Sequence, residues 1–364
     1  MLLKDLLKVF EEAAPLSLQE SYDNSGIQLG TPDQEVTQGL VCLEVTPPVL
    51  REAIEKKCDL IISHHPLIFE GIKQFSGKTA TEQILFEAIR NNIAILSLHT
   101  NLDNVKGGVN SRLAEQLGLE RLKVLRPAKG VLKKLVTFCP GDYSEKVRAA
   151  LFEAGAGQIG DYDCCSYNLE GKGSFRAGEG SSPFVGNLKE LHYEEETRIE
   201  TIFPVYLQSD VLSAMKAAHP YEEVAYDVYP IDNEFEMAGS GMIGELKTPM
   251  GTEDFLSMVK KKLGAAFVRH SPPVDESIQV VALCGGSGAF LLPDVIKSGA
   301  QAFVTGDVKY HQFLDVAGKL LLVDAGHYET EQHTKELLVD IVKEKMINFA
   351  LLISDTNTNP VRFF

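Results

Sequence analysis

Asp59-Leu60-Ile61-Ile62-Ser63-His64-His65-Pro66 is the stretch on which the reading of this 364-residue chain turns. Leu60-Ile61-Ile62 is a continuous apolar run, as in a strand buried on both faces of a parallel sheet, and it stops on two histidines and a proline. Successive strand side chains point to opposite faces, so adjacent histidines share a site only where the strand breaks; Pro66 supplies the break. Taken alone, the pair reads as one buried and one solvent-facing histidine at a strand end, and the surroundings must decide.

The same arrangement recurs outward along the chain. The buried run Ile93-Ala94-Ile95-Leu96-Ser97-Leu98 ends at His99 and leads to Asp103. Leu320-Leu321-Leu322-Val323-Asp324 ends at Ala325-Gly326-His327, with Glu331 four residues further on. Residues at i and i+4 share a helix face and can grip one ion. Singly, each has a plainer reading: Asp103 caps a helix beginning near Gly107, and Glu331 sits in a solvated first turn where the helix dipole favours it. As a set they point elsewhere, because ligands of open α/β sheets bind beyond the carboxyl ends of the strands, and three strand ends here each present a histidine with a carboxylate or a second histidine. His64, His65, His99, Asp103, His327 and Glu331 are therefore expected to meet at a divalent-metal site. Imidazoles mixed with carboxylates suit one or two Zn, Fe or Mn ions better than Ca, which prefers all-oxygen shells.

The flanking pattern sets the fold class. Residues 1–130 alternate helix 2–13, strand 39–45, helix 47–57, strand 59–63, helix 79–91, strand 93–98 and helix 108–117, an α/β order with a mostly parallel sheet. Residues 242–364 resume it with helix 252–263, strand 278–283, helix 288–298, strand 301–305, helix 308–318, strand 320–324, helix 328–346 and strand 349–353. Between them, residues 131–241 read as strand 133–138, helix 143–154, a Gly- and Ser-rich stretch with short strands, strand 197–204, helix 207–218 and strand 224–230, the β-α-β-β-α-β order of ferredoxin-like folds. Candidate ligands lie on both sides of this segment, so the outer parts are expected to form one discontinuous domain with the middle inserted. The Gly- and Ser-rich residues 170–190 read as a mobile loop.

Composition narrows the function classes. A net charge of −16 opposes non-specific binding to nucleic acid or anionic membrane, although a cation-lined pocket can still take an anionic small molecule. No apolar run approaches the roughly 18 residues of a membrane span, and the start reads as an amphipathic helix rather than a signal peptide, so a cytoplasmic protein is expected. Six cysteines without a CxxC pair are expected to be reduced and mostly structural.

The motifs Ser63-His64-His65-Pro66, Leu98-His99-Thr100-Asn101-Leu102-Asp103, Thr305-Gly306-Asp307 and Gly326-His327-Tyr328-Glu329-Thr330-Glu331 resemble those of the NIF-three-like proteins, also named GTP cyclohydrolase I type 2 homologues. The resemblance covers residues 1–128 and 242–364. The middle segment, with Ala218-His219-Pro220-Tyr221-Glu222-Glu223-Val224-Ala225-Tyr226-Asp227-Val228-Tyr229, resembles the PII-like or CutA-like insertion of the longer members. The resemblance implies a dinuclear site formed by His64, His65, Asp103, His327 and Glu331, with Glu331 bridging. It leaves His99 as a general acid/base or as a group supporting the ligands. It also implies a ring-shaped homo-oligomer, a hexamer, because PII-like and CutA-like domains commonly trimerise.

Two functions from different classes follow. One is a metal-dependent hydrolase in which water attacks a nucleotide-like or other anionic substrate while His99 or His311 moves protons; the resemblance suggests opening of the guanine ring of GTP. The other is a non-catalytic metal-binding regulatory or interaction factor whose insertion senses a partner or a small molecule. A nucleic-acid-associated role rests on the family name alone, and the charge argues against direct DNA contact. Three lesser features remain. Tyr22-Asp23-Asn24-Ser25-Gly26 resembles a family loop near the pocket, and a turn built on Asn-Ser-Gly explains it equally without function. Asp307 reads as a helix N-cap, with His311 four residues on, the pair supporting the ligands or touching substrate. Cys284-Gly285-Gly286-Ser287-Gly288 offers a phosphate cradle before a helix.

Overall fold

The computed structural model describes residues 1–362, which form two compact units: residues 1–127 with 237–362, and Ala128–Glu236. The first unit holds two sheets. In one, strands run in the order Gly26–Leu29, Ala94–Ser97, Leu60–Ser63, Gln38–Cys42, Ala350–Ile353. Every pairing in it is parallel except that of Gly26–Leu29 with Ala94–Ser97. The second has the order Arg269–His270, Leu321–Asp324, Ala302–Thr305, Ser277–Leu283, Phe235–Gly251, Leu119–Ala128, with a parallel centre and antiparallel flanks.

Alternation along the apolar strands explains why helices cover both faces. Leu60 and Ile62 join Leu3, Leu6 and Phe10 of helix Leu3–Ala13 and Leu338 and Val342 of helix Thr334–Lys345. Ile61, on the opposite face, packs with Val49, Ala53, Ile84 and Ala88 from helices Pro47–Glu55 and Ala80–Arg90. The second sheet repeats this, with Val304, Leu321 and Val323 in one cluster and Phe303, Leu320 and Leu322 in the other. Each such side chain contributes about 1.5–3 kcal/mol by burial. A one-residue slip would exchange the two faces, so register is tightly held.

That register aligns the strand ends. Cys42 pairs with Ser63, Ser63 with Ser97, and Thr305 with Asp324. The residues that follow, Glu44, His64, His65 and His99 from one sheet and Asp307 and His327 from the other, all leave the carboxyl ends of parallel strands.

The unit Ala128–Glu236 has its own four-stranded antiparallel sheet, ordered Tyr167–Arg176, Leu191–Pro204, Leu132–Pro140, Tyr226–Pro230. Helices Ser144–Glu153 and Gln208–Ala218 cover one face, around Leu135, Val147, Leu151, Ile199, Phe203, Val211 and Met215.

Several local expectations change. Residues 170–176 are not loop but part of strand Tyr167–Arg176, in ten-pair register with Leu191–Pro204; backbone pairing orders the glycines. Four strands lie outside the expectation, Leu119–Ala128, Phe235–Gly251 and the short Gly26–Leu29 and Arg269–His270. The first alternates charge with apolar residues at a sheet edge, and the second carries Gly239 and Gly241 at positive φ, which break up its hydrophobic pattern. The predicted helix 328–346 is two helices, His327–Glu331 and Thr334–Lys345, and helix 308–318 shrinks to Tyr310–Asp315. All six cysteines are free thiols. Among the described residues no helix is long and apolar enough to cross a membrane.

Candidate metal centre

His64 is fully buried, and its Nδ1 lies 2.8 Å from the carbonyl oxygen of Leu98. A carbonyl only accepts, so Nδ1 carries a proton and Nε2 is left facing the cluster. The other imidazoles are held in the same way by carboxylates. Glu44 Oε1 lies 3.2 Å from His65 Nδ1, Asp23 Oδ1 2.7 Å from His99 Nδ1, and Asp307 Oδ2 2.7 Å from His327 Nδ1. Each ring is thereby fixed at its outer nitrogen, the second-layer arrangement that orients metal-binding histidines.

The inner nitrogens converge on two carboxylates. Glu331 Oε2 is 3.0 Å from both His65 Nε2 and His327 Nε2. Its other oxygen is 3.8 Å from His64 Nε2, which is also 3.6 Å from Asp103 Oδ1. His64 with Asp103 and Glu331, His65 with His327 and Glu331, and His64 with His65 and His99 each form a group whose ligating atoms all lie within 4.8 Å of one another. Glu331 belongs to two of the groups and offers one oxygen to each. His64 Nε2 and Glu331 Oε2 are buried without a hydrogen-bond partner, although imidazole and carboxylate atoms crowd them. Buried polar atoms left unsatisfied cost roughly 1–3 kcal/mol each, and a cation between the groups would satisfy both. The donor set therefore fits divalent metal.

Charge around the cluster is strongly redistributed. Burial opposes protonation of His65 and His327, but Glu331, with Glu44 for the one and Asp307 for the other, overcomes it and pushes them up to about 10 and about 9. Burial would raise Glu331, yet His327, His64 and His65 hold its carboxyl well below the usual range. Burial and the charge of Glu331 push Asp103 up to about 7.

Local sequence explains the placement. Gly326, at φ +98°, turns the chain out of strand Leu321–Asp324 so that His327 opens a short helix and Glu331 falls one turn below it. Gly286, at φ +57°, lies against Glu331; a Cβ there would come within 2.3 Å of Oε1. Thr330 Oγ1 accepts from Gly286 N–H at 3.0 Å and so ties the two loops together.

All five residues expected as ligands, and His99, lie in this cluster. His311 does not: it is exposed, and its ring packs edge-on against Tyr310. Asp307 is no N-cap, since its helix begins at Tyr310 behind Lys309; it occupies a left-handed conformation, φ +55°, and accepts from His327. Asp103 ends the short helix Thr100–Asp103, and Gly108 caps the next one. The glycine stretch 284–288 does not present a free cradle, because the N–H groups of Gly285, Gly286 and Gly288 donate to Asn110, Thr330 and Thr305. It makes room for Glu331 instead. Asp23 lies in the loop whose sequence resembles a family loop near the pocket, and holding His99 is the role it has there; Glu44 has no signal in the sequence reading. Glu44 was hidden inside a strand extended to residue 45, whereas the strand stops at Cys42 and Glu44 is a fourth strand-end carboxylate.

Two cavities border the cluster. One of about 590 Å³ is lined by His65, His327, Arg269, Tyr328 and Asn359; the other, about 210 Å³, by His99, Asp103, Asn110, Cys284 and Glu331.

The family model Duf34/NIF3 (NGG1p interacting factor 3) matches residues 1–360. The chain is 39% identical over 366 residues to a Bacillus subtilis (strain 168) protein named "GTP cyclohydrolase 1 type 2 homolog", covering 99% of this chain and 98% of that one. A protein of the same name from Halalkalibacterium halodurans is 39% identical over 363 residues, covering 98% of each. Among solved structures, a Bacillus cereus protein related to NIF3 superposes with a TM-score of 0.86 at 39% identity, covering 100% of this chain and 99% of the other. Staphylococcus aureus protein SA1388 gives 0.78 at 32% identity with the same coverage.

Proposed function

The chain belongs to the Duf34/NIF3 family, and on that premise we propose that it is a metal-dependent hydrolase of nucleotide-like or other anionic small molecules, holding two divalent ions on His64, His65, Asp103, His327 and Glu331. One observation carries the reading: Glu331 presents each carboxylate oxygen to a different histidine set, while every imidazole is pinned from behind. Zn, Fe and Mn suit this donor set. When bound, such a pair supplies Lewis acidity toward substrate oxygens and a lowered pKa for attacking water.

The remaining chemistry belongs to the chain. Asp23 holds His99 at Nδ1, so His99 can move a proton at its other nitrogen from the side facing His64 and His65. Arg269 lines the larger cavity beside His65 and His327; its Nη2 is held by Asp324 and the Val308 carbonyl, which leaves its other N–H groups for an anionic group. The buried strands beneath keep these groups fixed, so little reorganisation accompanies reaction. The names of the curated relatives make a nucleotide such as GTP the first substrate to try.

The reading extends to the unit Ala128–Glu236, as a ferredoxin-like insertion of PII or CutA type. Its β-α-β-β-α-β order and its strand order Tyr167–Arg176, Leu191–Pro204, Leu132–Pro140, Tyr226–Pro230 support this. A hexameric ring goes with it; a strict monomer by light scattering would end that part.

Elemental analysis of full-length protein purified without chelator tests the ions, with about two per chain expected and a sharp loss in Glu331→Gln. A metabolite screen tests the reaction. If metal-replete protein hydrolyses no nucleotide or phosphoester, and His64→Ala changes nothing measurable, the hydrolase reading fails.

A further inference from the structure

The unit Ala128–Glu236 encloses a cavity of about 720 Å³, within the range of small-molecule sites. Its walls carry the aromatic and apolar side chains Phe138, Leu169, Phe175, Phe184 and Tyr221 together with charged ones of both signs, Glu196 and Arg176 among them. The Phe175 and Phe184 ring centroids lie 6.3 and 6.1 Å from that of Tyr221.

The motif His219-Pro220-Tyr221-Glu222, which the metal centre leaves unused, builds this cavity. His219 Nε2 donates to the Phe138 carbonyl at 2.9 Å, and its Nδ1 accepts the Tyr221 N–H at 3.1 Å, so a neutral imidazole fixes the start of the turn. Tyr221 Oη donates to Glu196 Oε1 at 2.9 Å. Glu222 Oε1 accepts the Ser182 N–H at 2.7 Å and holds the segment that carries Phe184.

One carboxylate faces these walls incompletely satisfied. Glu196 has a phenol as its hydrogen-bond partner, and none of the ion pairs among the described residues involves it. Arg198 beside it is already paired with Glu200 at 2.8 Å through Nη2. The floor is cleared by glycine. A Cβ on Gly173 would come within 2.2 Å of Glu196 Oε2, whereas one on Gly171 would meet nothing closer than 3.9 Å, so a side chain at 171 has room to enter the cavity.

We propose that this cavity binds a planar aromatic or heteroaromatic molecule bearing an amino or amidinium group. The ring lies among Phe175, Phe184 and Tyr221, and the N–H group donates to Glu196. Aromatic walls beside a carboxylate favour cationic ligands.

2-Aminobenzimidazole has these features and serves as the probe, with benzoate as the anionic control, in calorimetric titration of the full chain. The wild type is expected to bind the amine and not benzoate. Glu196→Gln should weaken binding by about tenfold or more, the loss of one charge-assisted hydrogen bond. Gly171→Leu should abolish it with the thermal transition unchanged, because leucine fills the space without displacing backbone. No heat from the amine with wild type at millimolar concentration, equal binding of benzoate, or undiminished binding by Gly171→Leu would each overturn the assignment.

Discussion

Asp23 and His99 are joined by a 2.7 Å hydrogen bond across 76 positions of sequence. The same carboxylate accepts from Thr100 N–H at 2.9 Å and from the hydroxyls of Thr100 and Ser25. Burial would raise its pKa, but the bonds from His99 and Thr100 hold it well below the usual carboxylate range. Asp23→Asn should therefore cost roughly 1–3 kcal/mol of stability. It should also lower turnover by about 10- to 100-fold, with metal content retained. Chemical denaturation beside elemental analysis checks this, and loss of the metal instead would show that His99 acts as a ligand.

Gly286→Ala tests the clearance around Glu331. Its Cβ would lie 2.3 Å from Oε1 and 3.2 Å from His327 Cε1, on backbone at φ +57°. The expected outcome is a fall in bound metal together with about 1–2 kcal/mol of destabilisation from the strained conformation. Full metal content in the purified variant would contradict the role given to Glu331.

Metal uptake should release protons. In the metal-free protein His65 titrates at about 10 and His327 at about 9, so both are charged at neutral pH, whereas an ion requires them neutral. Apparent affinity should rise with pH, by about tenfold or more per unit between pH 6 and 8. Competition titrations against a chelator at several pH values measure the slope; a flat profile would remove these two rings from the ligand set.

Glu52 provides an acid-sensitive clamp. It accepts from Lys56, Ser354, Thr356 and the Asp355 N–H, fastening residues 354–356 to helix Pro47–Glu55. Although burial acts in the opposite sense, the Lys56, Ser354 and Thr356 bonds lower its pKa from 4.5 to about 2. A carboxylate depressed in the folded state stabilises above the unfolded value and loses that contribution as pH falls through the folded one. Glu52→Gln should thus destabilise by about 1–2 kcal/mol at neutral pH, with the difference from wild type shrinking between about pH 4.5 and 2. Urea melts across that window decide it.

The sequence disclosed what periodicity and strand ends encode. Continuous apolar runs such as Leu60-Ile61-Ile62 marked strands covered on both faces, and the histidines behind them marked the sheet edge. It concealed what only the third dimension assembles. Asp23 reads as an ordinary turn residue until strand pairing brings Gly26 opposite Ser97 and delivers the turn to His99. Gly286 looked like a phosphate loop because a vacancy made for a side chain 45 positions later has the same composition as one made for a ligand. His311 carried the right spacing from Asp307, but the helix begins too late to turn it inward.

The pairing of Ala350–Ile353 with Gln38–Cys42 bears on how the molecule is made. A nascent chain that has already formed Gln38–Cys42 and Leu60–Ser63 keeps one side of that ladder open until residues 350–353 emerge from the ribosome. An apolar strand edge exposed for so much of synthesis invites pairing with other chains, and its closure waits on one of the longest-range contacts in the fold. Completion of the early sheet is therefore a late event, and the yield of native protein will depend on how quickly the final strand arrives.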